Sequence, residues 1–161
     1  MTPAQLSTLK AYILADSAFQ EMALTGQYQQ VANAMNLQAS PAFTAWKKRV
    51  DTPDVGRTVL YGAVGALTTV NTSRIDLFYA MNPVSFEPRL DIRTFFDATF
   101  SGALAGEGQA TRDALTALWK RLATRFEKVL ATGTGSDASP ATMGAEGPMV
   151  AQDVGDALSA A

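Results

Sequence analysis

The chain has 161 residues, 47% hydrophobic and 17% charged, with a net charge of −2 at pH 7; this fits one soluble domain and gives no basic signature of nucleic-acid binding. It contains no histidine and no cysteine, so imidazole bases, thiolate nucleophiles, disulfides and the usual zinc ligands are excluded. The opening Met-Thr-Pro-Ala-Gln-Leu has no basic stretch followed by an apolar one and does not read as a signal peptide.

Thr2-Pro3 combines a hydroxyl N-cap with proline at the first helical position, and Leu6, Leu9, Ile13 and Leu14 recur at helical spacing. Asp16 and Ser17 end this helix and cap a second, which runs through Phe19, Met22 and Ala23 to Gly26. A third short helix is expected over 27–35, with Tyr28, Val31 and Met35 on one face and Asn36 closing it. Ser40-Pro41 repeats the cap-and-proline signal and predicts a helix that turns Phe43, Trp46 and Val50 inward; Thr52-Pro53 repeats it again.

From Asp54 to Asn71 the apolar spacing suits a helix, while Gly56, Gly62 and Gly65 weaken it and Thr68-Thr69-Val70 favours an extended piece. The reading is a helix with a loose end. The most apolar window here, Val59 to Leu67, is too short to span a bilayer, so no membrane partner is expected. Thr72 or Ser73 caps a helix through Ile75, Leu77, Phe78 and Met81, which Asn82-Pro83 ends. Residues 82–88 read as a loop. An amphipathic helix follows over 89–100 with Ile92, Phe95, Phe96 and Phe100 apolar, and then Gly102, Gly106 and Gly108 mark a flexible connection.

Leu115, Leu118, Trp119, Leu122, Phe126, Val129 and Leu130 predict one long helix, with Arg121, Arg125 and Lys128 on a flank beside the stripe. Residues 132–161 are rich in small residues, glycine and proline, and carry Asp137, Glu146, Asp153 and Asp156 without a cation. Such a stretch buries too little apolar surface to offset its ordering entropy alone. The expected fold is therefore all-α: a compact multi-helix bundle over 1–131 and an extended low-complexity C-terminal arm over 132–161.

No catalytic set emerges, and no enzyme, metal site or cofactor is expected. Asp91 and Asp97, six apart, are not close neighbours on a helix, and Asp51 and Asp54 read as helix-start acids. Gly133-Thr134-Gly135-Ser136 follows a helix instead of opening one and has no P-loop lysine. Three sets of candidate contact residues remain. The arm offers Thr134, Gly135, Ser136, Asp137, Pro140, Met143, Pro148, Met149 and Val150 to a partner. Arg121, Arg125 and Lys128 form a basic docking flank for an acidic segment, or serve only helix-end charge and solubility. Lys47, Lys48 and Arg49 beside Trp46 offer phosphate and stacking contacts to DNA, or form a wet face around a core tryptophan.

The run Leu122-Ala123-Thr124-Arg125-Phe126-Glu127-Lys128-Val129-Leu130-Ala131-Thr132-Gly133-Thr134-Gly135-Ser136, continuing into Asp137-Ala138-Ser139-Pro140-Ala141, resembles the C-terminal signature of a family of small virion-associated proteins from tailed bacteriophages. Thr2 to Lys10, Ala15-Asp16, Ser40-Pro41-Ala42-Phe43 and Trp46 are similar to the same family, while residues from Val50 to Gly108 depart from it. By size, helical character and trailing arm, the chain looks like head-to-tail adaptors of short-tailed phages. The resemblance implies a homo-oligomeric ring, dodecameric by analogy, that joins a portal protein to a tail or nozzle protein. It implies arms docked on a neighbouring ring, and DNA passing through the lumen without sequence-specific contact. It also implies a place in the virion neck after assembly in the host cytoplasm. Two other readings stay open: another phage structural role, such as tail terminator or capsid-associated protein, and a nucleic-acid-binding module.

Overall fold

The structure is a computed structural model and describes residues 1–101 and 106–160. Gly102 of the expected connection and Ala161 of the expected arm lie outside the described residues. Ten helices and four short strands are present among those described. The chain is predominantly helical but not strictly all-α, because a few backbone segments that run side by side satisfy their N–H and C=O groups by pairing with each other. Two compact units result, one from Met1–Ala45 with the described residues from Leu122 onward, the other from Trp46–Arg121. The boundary expected at 131/132 is thus replaced by crossings at 45/46 and 121/122.

The first unit contains α1 (Pro3–Ala15), α2 (Ser17–Leu24), α3 (Tyr28–Met35), α9 (Arg125–Leu130) and α10 (Ala151–Ser159). Thr2 caps α1 reciprocally: its Oγ1 accepts from Gln5 N at 3.2 Å, and its own N–H donates to Gln5 Oε1 at 2.8 Å. Asp16 Oδ1 caps α2 by accepting from Ala18 N and Phe19 N. Leu9, Ile13, Phe19, Val31, Met35 and Phe126 form the core, and Met149, Val154 and Ala157 complete it. A smaller cluster joins Phe43 and Ala45 to Ala123, Ala141 and Met143.

The expected arm is therefore not extended. Residues 141–157 place Ala141, Met143, Met149, Val154 and Ala157 inside the same chain's core, and Ala151–Ser159 form α10. The composition of the stretch understates its few large apolar side chains, and these are spaced to meet a surface that α1, α3 and α9 already provide.

The second unit contains α4 (Thr52–Thr58), α5 (Tyr61–Gly65), α6 (Thr69–Met81), α7 (Leu90–Thr99) and α8 (Glu107–Trp119), with β2 (Val50–Asp51) antiparallel to β3 (Ser85–Phe86). Phe78, Phe86, Phe96 and Trp119 meet edge-on or tilted in its core, with Phe78 and Phe86 centroids 4.8 Å apart. Buried Thr111 takes the Leu60 N–H on its hydroxyl at 3.3 Å. α6 starts at Thr68, whose Oγ1 accepts from Asn71 N, so Thr68-Thr69-Val70 is a capped helix start and not an extended piece. Gly108, expected in a connection, is buried within α8.

The two remaining strands, β1 (Thr44–Trp46) and β4 (Lys120–Leu122), pair with each other. Each replaces an expected helix. Phe43, Trp46 and Val50 fit a helical period, but only Ala45 of β1 is buried, flanked by two half-buried residues in strand alternation. The long helix expected over Leu115 to Leu130 stops at Trp119 and restarts at Arg125. Thr124 and Glu127 cap that restart reciprocally, at 2.9 and 3.2 Å.

Candidate functional site

Of the expected arm residues, Gly135, Met143 and Met149 lie in the first unit's interior, and the others line its surface. Gly135 is buried with φ +66° under the Phe43 ring, and its carbonyl accepts from Thr44 N at 2.7 Å. Thr134 Oγ1 donates to Ser139 O, and Ser136 Oγ accepts from Ser139 N, closing a surface loop that also carries exposed Asp137 and half-buried Pro140. Met143 and Met149 are buried, while Pro148 and Val150 are exposed. Side chains from earlier in the chain hold this stretch. Asn36 Oδ1 accepts from Met149 N at 2.7 Å and its Nδ2 donates to Met149 O at 2.8 Å. Gln5 Nε2 donates to Gly144 O at 2.9 Å, and buried Glu127 accepts from Gly147 N at 3.2 Å.

The basic flank divides. Arg121 lies in β4 at the end of the second unit, because residues 120–122 are strand and the helical spacing that grouped it with the others is broken. Arg125 and Lys128 stay together in the first unit, in the wall of a cleft of about 660 Å³ that also involves Thr8, Tyr12, Asp16, Ser40 and Val129. Both cations are half-buried, and Lys128 Nζ stands 5.6 Å from the centre of the Phe43 ring.

Lys47, Lys48 and Arg49 lie between β1 and β2, not on a helix. Lys48 and Arg49 are exposed, and Arg49 pairs with Asp51 at 3.4 Å. The Arg93 guanidinium sits 3.8 Å from the centre of the Trp46 ring, so that face is already occupied by a cation. Burial pulls the Arg93 pKa below the ordinary arginine value, with the Asp91 charge acting the other way. Arg93 also donates to Pro88 O at 2.5 Å, and Arg112 Nη1 donates to Phe100 O at 3.2 Å while its Nε faces Asp97 at 3.6 Å. These arginines line a cleft of about 270 Å³ with Trp46 and Trp119, and both are engaged in holding backbone.

Apolar positions of two expected helices line a groove that is open. Leu77, Phe78, Met81, Ile92 and Phe95 line a groove of about 410 Å³ between α6 and α7, edged by Arg74, Arg89 and Asp91. α6 buries only Phe78 among its 13 residues. Val70, Leu77 and Met81 are 61%, 59% and 72% exposed, and their spacing of seven and four puts them on one face. The signal in the sequence is that this face and the Phe78 face are both apolar, which is more than one buried stripe requires.

Among the described residues no group of three or more His, Cys, Asp or Glu is placed to hold a metal ion, and no helix is long and apolar enough to cross a membrane. Comparison with family models, with curated proteins and with solved structures gives no match to the chain.

Proposed function

We propose that this protein is a structural subunit of a tailed-phage head-to-tail junction, an adaptor that forms a ring joining the portal to the tail. The observation that carries the reading is the apolar strip on α6. Val70, Leu77 and Met81 stand open to solvent beside a groove floored by Ile92 and Phe95. Contiguous apolar patches on soluble monomers tend to mark interaction surfaces, and a closed ring needs side-to-side contacts on every subunit. The resemblance of residues 2–10, 15–16 and 122–141 to phage virion proteins supports the setting. The docking arm is removed from the reading, because Ala141, Met143, Met149, Val154 and Ala157 anchor this stretch in their own subunit's core; portal and tail contacts then fall to the folded surface.

Sedimentation and native mass spectrometry of the purified chain test the ring. A closed oligomer that the paired changes Leu77→Asp and Met81→Asp reduce to monomers is the expected result. Imaging of virion necks carrying a labelled subunit tests the place. A monomer at every concentration, or a label away from the neck, overturns the proposal; a hexameric ring at the tail end indicates a tail terminator instead.

A further inference from the structure

We infer that the cleft beside α9 is a binding site for an acidic polypeptide segment supplied by another chain. Arg125 and Lys128 are three apart on α9, so their side chains are neighbours on one face. Both are half-buried, and neither has an ion-pair partner among the described residues. Two like charges so placed repel each other, and a concave wall concentrates their field. Local helix stability does not account for the pair. Lys128 in the last turn complements the helix dipole, but Arg125 is the first residue of α9, where a cation opposes it.

The rest of the lining suits a peptide. The hydroxyls of Tyr12 and Ser40 make no hydrogen bond within the described residues and are free to donate to a carboxylate. Val129 supplies an apolar wall for aliphatic stems. The one carboxylate present, Asp16, is tied through Oδ1 to the start of α2, leaving the cations in excess. About 660 Å³ is within the ordinary range for ligand clefts, roughly 300–1,000 Å³. Nucleic acid is a poorer fit, since its affinity comes from many phosphate contacts along a basic surface, and this cleft has two cations and an acid. The inference does not depend on the ring: a chain that stays monomeric still presents the cleft.

Titration of the full chain with hexaglutamate, followed by amide NMR shifts and calorimetry, tests it. Binding is expected, with shifts centred on Tyr12, Ser40, Arg125 and Lys128, none with hexalysine, and affinity that falls as salt is added. Arg125→Ala and Lys128→Ala are each expected to weaken binding about tenfold, as loss of a charge-assisted hydrogen bond does. Lys128 also stacks on Phe43, so Arg125→Gln, which leaves that contact alone, is the deciding variant if Lys128→Ala melts early. No binding at low salt, shifts elsewhere, unchanged affinity in Arg125→Gln, or tighter binding of a short DNA duplex to the same residues overturns the inference. Sedimentation of the same variants reports the ring separately.

Discussion

The carboxamide of Asn36 binds the main chain of Met149 through both of its polar atoms, accepting from the N–H and donating to the C=O. One side chain thereby does what a neighbouring strand would do for a residue whose side chain is 1% exposed. Asn36→Ala leaves both main-chain groups without their partner and is expected to cost roughly 2–4 kcal/mol. Urea unfolding measures it; a loss below about 0.5 kcal/mol, the ordinary size of a surface change, would show that water replaces the amide freely. Asn36→Asp keeps the acceptor, loses the donor, and is expected to fall between the two.

Shortening the chain distinguishes a folded C-terminal segment from an arm. Stopping at Thr132 strips Met143, Met149, Val154 and Ala157 from the cores they complete, so amide exchange protection in α1, α3 and α9 is expected to collapse. Limited proteolysis of the intact protein is expected to leave residues 141–157 uncut. Rapid trimming back to residue 132, with α1 still protected, would restore the arm.

Two glycines in this segment are fixed by what lies over them. A Cβ on Gly135 would come within 2.1 Å of the Phe43 ring, at a φ of +66° that other residues rarely adopt, and one on Gly144 would lie 2.2 Å from the Leu130 carbonyl oxygen. Alanine at either position is expected to cost about 2 kcal/mol or more through strain and overpacking. Gly65, in α5 with open space around it, is the control: Gly65→Ala is expected to stabilise by about 0.4–1 kcal/mol. Thermal melts of the three variants read the contrast, and equal effects would refute it.

Tyr79 gives a signed pH dependence. Burial raises its phenol pKa above the ordinary 10.0, so the unfolded chain ionises first. Its contribution to stability is complete below pH 10 and is lost as pH rises from there through the folded value. The difference in unfolding midpoint between the parent and Tyr79→Phe is expected to stay constant below pH 10 and to move against the parent above it. A difference that stays flat through that window would place the phenol in water.

The α6 strip should separate assembly from folding. Leu77 and Met81 are mostly solvent-exposed, so aspartate at both is expected to change stability by no more than about 0.5 kcal/mol each. The proposed oligomer should nevertheless disappear in sedimentation. If the double variant unfolds, the strip is part of the subunit's own packing.

Local chemistry was readable wherever it alone decides the backbone. Thr2-Pro3 and Asp16 each start a helix as their cap chemistry requires; Thr52-Pro53 also opens one, but Asp51 holds the cap position without a side-chain hydrogen bond, and the Thr52 hydroxyl donates to Asn82 O instead. Ser40-Pro41 carries the same signal and leads into a strand, because backbone pairing with β4 outweighs a short helical period there. The break after Trp119 had a legible mark: Thr124 and Glu127 stand three apart, the spacing of a reciprocal cap, inside what read as a continuous apolar stripe. Of the candidate contacts, Arg125 and Lys128 were found together because they share one short helix, and Arg121 was lost to the same break. Composition averages over a segment and so turns Met143 and Met149 outward, whereas burial depends on where single large side chains fall. The groove beside α6 was illegible, since periodicity reports an apolar face without saying whether anything covers it.

The second unit is an insertion, entered after Ala45 and left at Arg121, and this sets an order of events during synthesis. A ribosome finishes residues 46–121 before it makes α9 or α10, so that unit has all of its chain while the first still lacks Phe126, Leu130, Met149, Val154 and Ala157 of its core. The first unit closes only when Met149, Val154 and Ala157 have emerged. A product cut short anywhere before them leaves the apolar side chains of α1 and α3 that they cover open to solvent. The unit whose chain comes in two pieces is thus the one that waits.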